Sequence, residues 1–83
     1  MHDSVTYAHL DRALKQLGFQ QTERADGTIG YRHEATDTVV LFKPHSPKDM
    51  VPKGTLAATR RLLVERGLVG AEEWVDMLHS VAA

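Results

Sequence analysis

The sequence predicts an α+β fold in the order α-β-β-β-α(-α), a three-stranded antiparallel sheet with helices packed on one face. Three observations carry that expectation. Apolar residues recur at helical spacing from Tyr7 to Leu17, and again after Thr55 and after Gly70. Between these stretches, short β-rich segments are parted by the turn formers Asp26-Gly27 and Ala35-Thr36-Asp37. Strands so close in sequence pair as an antiparallel meander, which leaves one face for helices to cover.

The first helix is read from Thr6 to Leu17. Tyr7, Leu10, Ala13, Leu14 and Leu17 share one face, while Asp11, Arg12 and Lys15 take the other. Thr6 can cap its start, and Gly18 suits the left-handed stop. Phe19 to Arg24 is polar and reads as a strand because of the turn that follows it. Asp26-Gly27 predicts a type I′ hairpin, which needs positive φ at both central positions.

Ile29, Tyr31 and His33 then alternate with Gly30, Arg32 and Glu34, the pattern of a half-buried strand. After Ala35-Thr36-Asp37 comes Thr38-Val39-Val40-Leu41-Phe42, the run with the strongest β character. It is apolar on both faces, so one face is expected to meet the helices and the other to offer an association surface. The stretch Pro44 to Pro52 holds all three prolines and excludes regular structure. Thr55 is expected to cap a helix running to Arg66, with Leu56, Thr59, Leu62 and Leu63 inward and Gly67 at its end. Glu72 and Glu73 suit the positive end of a last helix whose stripe is Trp74, Met77, Leu78 and Val81.

At 83 residues the chain reads as one domain, 1–83. A domain of that size buries roughly 60–65% of its extended surface, enough for one core and too little for a large enclosed active site. The chain has no cysteine, which excludes disulfides, thiolate metal sites and a cysteine nucleophile. No two histidines sit three or four apart on a helix, so no metal site is expected, and no Walker loop or dinucleotide fingerprint calls for a cofactor. The start Met1-His2-Asp3-Ser4-Val5 has neither a basic nor an apolar leader region, and no run approaches about 18 apolar residues. A cytoplasmic protein without a membrane partner is expected.

Net charge is −1, but the distribution is uneven. Residues 43–66 hold Lys43, Lys48, Lys53, Arg60, Arg61 and Arg66 against Asp49 and Glu65. This central basic segment is suited to phosphate, or else forms a solvated loop and helix.

Five short motifs now fall in one order: Leu17-Gly18-Phe19, Tyr31-Arg32-His33, Pro44-His45, Gly54-Thr55-Leu56 and Glu72-Glu73-Trp74. In that order and spacing the chain, from about Leu10 to Leu78, resembles the HicA family of toxin–antitoxin mRNA interferases, also called YcfA-like. The resemblance implies a fold like that of double-stranded-RNA-binding domains. It also implies a catalytic histidine three positions before the strand-two aromatic. Counting back from Tyr31, that position falls on Thr28, and a one-residue slide puts Ile29 there. Neither carries an imidazole, and a threonine hydroxyl does not titrate near neutral pH.

RNA cleavage of this kind takes a proton from the 2′-hydroxyl and gives one to the departing 5′-oxygen. Imidazole serves both because its ordinary pKa lies near working pH, and such catalysis is worth roughly 10²–10⁴ in rate. With Thr28 in its place, family-type cleavage is expected to be absent. His33 shares a strand face with Ile29 and Tyr31 and is expected to point toward the core. His45, in the proline-rich loop, is the best substitute acid or base, although a loop histidine is more often simply solvated. His2, His9 and His79 read as surface residues.

Three functions follow. The first is a HicA-like RNA-binding module that has lost cleavage, with Arg32, Lys43, Lys48, Lys53 and the helix start at Thr55 contacting RNA. The second is an active, metal-independent endoribonuclease that uses His45 or assistance from threonine. The third is an interaction domain that self-associates, or binds a HicB-like antitoxin, through the sheet.

Overall fold

A computed structural model describes residues 5–23, 26–43 and 45–82. Its elements are α1 (Tyr7–Gln16), β1 (Gln20–Glu23), β2 (Ile29–His33), β3 (Thr38–Phe42), α2 (Lys53–Glu65) and α3 (Ala71–Ala82), with one 3-10 turn at Glu34–Thr36. The order and the antiparallel sheet are those the sequence predicts. Expectations that touch His2, Arg24, Pro44 or the Val81 side chain lie outside what is described.

Local chemistry accounts for most of these boundaries. Thr6 caps α1 by accepting from the His9 N–H, and the His9 ring nitrogen Nδ1 accepts in turn from the Thr6 N–H. Gly18 adopts φ +99° after the helix, a conformation a side chain would resist. At α3, Glu73 reaches back to the Gly70 N–H at 2.9 Å, the reciprocal half of such a cap.

Two turns differ from the sequence reading. Gly27 adopts a positive φ, but the first hairpin is not type I′. The last paired residues are Glu23 and Ile29, which leaves five residues between the strands, too many for a two-residue turn. Asp26 instead closes the loop through its carboxylate, Oδ1 accepting from the Thr28 N–H at 3.0 Å. Thr55 does not cap α2 either. Pro52 holds the cap position, the helix starts at Lys53, and the first intrahelical bond runs from the Leu56 N–H to the Pro52 carbonyl. Proline is well placed there because its fixed φ suits a helix start.

β2 lies between β1 and β3. In register, Gln21 faces Tyr31, Tyr31 faces Val40, and Ile29 faces Phe42. The helices cover the face that carries Tyr31, Val40 and Phe42. These join Leu10, Ala13 and Leu14 of α1, Leu63 of α2, and Trp74 and Leu78 of α3 in one core. All four β1 side chains are exposed, so β1 is held by its backbone ladder rather than by packing. The opposite sheet face carries Gln20, Thr22, Gly30, Arg32, Val39 and Leu41.

The proline-containing loop is not loose. Its carbonyls take up the first N–H groups of α1: Tyr7 N–H to Asp49 at 3.0 Å and Ala8 N–H to Pro47 at 3.0 Å. The Val51 N–H bonds the Val5 carbonyl at 2.8 Å, and Thr6 and Met50 form an isolated bridge. These bonds satisfy donors that a helix start cannot satisfy itself, and they fix residues 45–51 against α1.

Candidate functional site

Between α1, the pinned loop and the helix-facing side of the sheet lies a cleft of about 240 Å³. Tyr7, Asp11 and Arg12 come from α1, Gln21 from β1, Ile29 and Tyr31 from β2, and His45 from the loop. At that volume it falls below the roughly 300–1,000 Å³ of ordinary small-molecule sites, so it admits one flat group rather than a whole cofactor.

Aromatic rings form one wall. The His45 imidazole stacks on Tyr7 with ring centroids 3.7 Å apart and planes 11° from parallel. Phe42 meets Tyr7 and Tyr31 edge-on at 5.9 and 5.8 Å. Both His45 ring nitrogens are shielded from solvent and have no hydrogen-bond partner among the described residues. An acid or base must bring a nitrogen within bonding reach of the proton it moves. His45 as placed presents neither.

The cleft also has a polar part. The Tyr31 hydroxyl donates to Asp11 Oδ1 at 2.6 Å, and Asp11 Oδ2 pairs with Lys15 at 3.1 Å. Burial, then the bond to Asp11 and that carboxylate's charge, hold the Tyr31 phenol well above its ordinary value. The phenol is therefore a fixed donor at neutral pH.

The other expected residues are distributed around this cleft. Thr28 sits half-buried just before β2, and no histidine hydrogen-bonds to it among the described residues. Its neighbour Ile29, the position reached by sliding the resemblance one residue, does line the cleft beside His45. His33 is at the far end of β2, half-buried, its ring 5.3 Å from that of Phe19 and its Nδ1 2.9 Å from the Thr36 hydroxyl. Arg32 projects from the other sheet face and pairs with Asp37 at 3.1 Å, so it does not join His45. Lys43, Lys48 and Lys53 are exposed and make no ion pair among the described residues. Arg61 is paired with Glu65. Asp49, the acid nearest the lysines in sequence, turns its carboxylate to the Ser46 N–H at 2.8 Å.

Sequence reading missed the association of Tyr7, Asp11, Tyr31 and His45. The sequence reading puts Asp11 on the helix face away from Tyr7, whereas the structure turns Asp11 into the cleft beside Tyr7, and no local pattern joins the two to a strand and a loop. The cap role of His9 is likewise hidden in the sequence, since imidazole is not the usual partner in a capping box. No group of three metal-ligating side chains gathers among the described residues, and no described helix is long and apolar enough to cross a membrane. No family model, curated protein or solved structure matches the chain.

Proposed function

We propose that this chain is a HicA-like RNA-binding module that does not cut RNA in that family's manner. The observation that carries this reading is the state of Lys43, Lys48 and Lys53. All three are exposed, have no ion-pair partner among the described residues, and flank or occupy a loop held by backbone bonds. Cations on an ordered segment meet a phosphate backbone at a lower entropic cost than cations on a loose one.

The start of α2 adds to this. The N–H groups of Lys53, Gly54 and Thr55 precede the first intrahelical bond, and a side chain built on Gly54 would meet nothing within 4 Å. A phosphate can therefore approach that backbone closely. The loss of cleavage rests on the residues near β2. Thr28 has no titratable group, His33 is tied to Thr36 at the other strand end, and the His45 nitrogens are shielded. Cleavage through His45 would require its ring to leave the Tyr7 stack.

Filter binding with a single-stranded RNA tests the reading. Retention at low ionic strength that falls steeply with added salt, with the RNA recovered intact, is the expected result. No retention at low ionic strength overturns binding, and RNA degradation abolished by His45→Ala overturns the loss of cleavage.

A further inference from the structure

The two edges of the sheet are built differently. β1 presents Gln20, Gln21, Thr22 and Glu23, all exposed and polar, with a charge at its end. β3 is the other edge, and its sequence Thr38-Val39-Val40-Leu41-Phe42 carries no charge and no proline. It stays in unbroken register with β2 over its whole length. Natural edge strands are usually guarded by lysine, proline or a bulge, because their free N–H and C=O groups invite another strand. β3 has none of these guards.

Two further features bear on access. Val39 and Leu41 are 49% and 52% exposed on the face away from the helices. Along the free edge runs a groove of about 340 Å³ whose far wall is Thr55, Ala58, Thr59 and Leu62 of α2. Three of those four side chains are small, so the helix leaves room beside the strand.

The charges at the ends of β3 identify the occupant. We propose that two copies of this chain pair through β3, antiparallel about Val40, to form one continuous sheet. In that register Val39 lies opposite Leu41 of the second copy, and Thr38 opposite Phe42. Asp37 then falls opposite Lys43, once at each end. Asp37 is 80% exposed and bonds Arg32 through one oxygen, so it can take a second cation. Lys43 is exposed and makes no ion pair among the described residues. Opposite charges facing across strands stabilise a pair, and like charges destabilise it. A slip of two residues would set Asp37 against Leu41 or move it past Lys43, losing both ion pairs. The strand is thus complementary to itself in one register.

This pairing goes beyond RNA binding and does not depend on it. Its test is the mass of the pure chain in solution, by light scattering and sedimentation over a range of concentrations without RNA. A concentration-dependent dimer is expected. Leu41→Lys should weaken it by about tenfold or more, with an unchanged circular dichroism spectrum because residue 41 is exposed. The decisive variants reverse charge. Asp37→Lys places lysine opposite lysine, and Lys43→Asp places aspartate opposite aspartate, so each alone should be mainly monomeric. Mixed one to one, they restore both ion pairs and should form a heterodimer, which also shows that both variants are folded. A strict monomer at all concentrations overturns the proposal. So does a dimer indifferent to these substitutions, or a different protein that co-purifies through Leu41 while the isolated chain stays monomeric.

Discussion

The imidazole of His45 lies flat on the ring of Tyr7, centroids 3.7 Å apart, with neither nitrogen bonded among the described residues. In this setting the histidine serves as an aromatic plate. It joins the loop after β3 to the first turn of α1 and closes one end of the cleft. A shielded polar group without a partner costs about 1–3 kcal/mol, which the stack and the surrounding backbone bonds must offset.

That balance predicts opposite outcomes for two substitutions. His45→Phe keeps a flat ring against Tyr7 and removes both unbonded nitrogens, so stability should be unchanged or rise by about 1 kcal/mol. His45→Ala loses the stack and opens a void, and should cost roughly 1–3 kcal/mol. Urea denaturation of both variants checks the pair. A phenylalanine variant as unstable as the alanine variant would mean that the nitrogens have partners.

The bond between Tyr31 and Asp11 predicts an alkaline limb. The folded phenol is raised above its ordinary value, so its contribution is complete below the unfolded value near 10. It is lost as pH climbs from there toward the folded value, because the unfolded chain ionises first. The unfolding midpoint should therefore fall above about pH 10, and Tyr31→Phe should flatten that fall. At neutral pH the same substitution should cost roughly 1.5–3 kcal/mol, the worth of a hydrogen bond to a charged acceptor. An unchanged alkaline limb in Tyr31→Phe would assign the effect to another group.

The elements legible in the sequence are those whose signal is local. Thr6 as a cap, Gly18 as a stop, the alternation of Ile29 and Tyr31, and the two apolar faces of β3 need only neighbours within a turn or a strand. The elements that differ depend on the lengths and partners of loops. Asp26-Gly27 carries the residues of a two-residue turn, yet pairing ends at Glu23 and Ile29, and the wider loop sets its own geometry. Thr55 looks like a cap, but Pro52 already offers a helix-compatible φ three residues earlier. His45 shows the limit most clearly. Its stacking partner Tyr7 lies far earlier in the chain, and nothing in Pro44-His45-Ser46 announces a ring whose nitrogens are shielded.

The cap at α1 gives a third prediction. Thr6→Ala removes the acceptor for the His9 N–H and should cost about 1 kcal/mol. The backbone bridge to Met50 keeps its atoms in this variant, so any loosening of the loop that carries His45 would come through fraying of the helix start. Thermal unfolding measures the cost. Hydrogen exchange at Tyr7 and Ala8, whose N–H groups bond loop carbonyls, reports whether the loop loosens with it.

Gly54 separates stability from binding. It occupies the first turn of α2 with open space where a side chain would go, so Gly54→Ala should stabilise the helix by up to about 0.5–1 kcal/mol. The added methyl also stands where a phosphate would approach the backbone. A variant that melts higher yet binds RNA less tightly is the expected outcome. Tighter binding would remove the helix start from the RNA contact.

The salt dependence of RNA binding distinguishes the individual lysines. Each phosphate neutralised by a cation releases a condensed counterion, and for single strands each contact contributes about 0.7 to the slope of log affinity against log salt. Lys48→Gln and Lys53→Gln should each reduce that slope by roughly this amount, and should weaken binding equally for unrelated RNA sequences. Lys43→Gln should reduce it less when the protein is paired through β3, where Lys43 faces Asp37 of the second copy. Below the dimerisation range its effect should approach that of the other two. A slope unaltered by all three substitutions would take RNA contact away from the loop between β3 and α2.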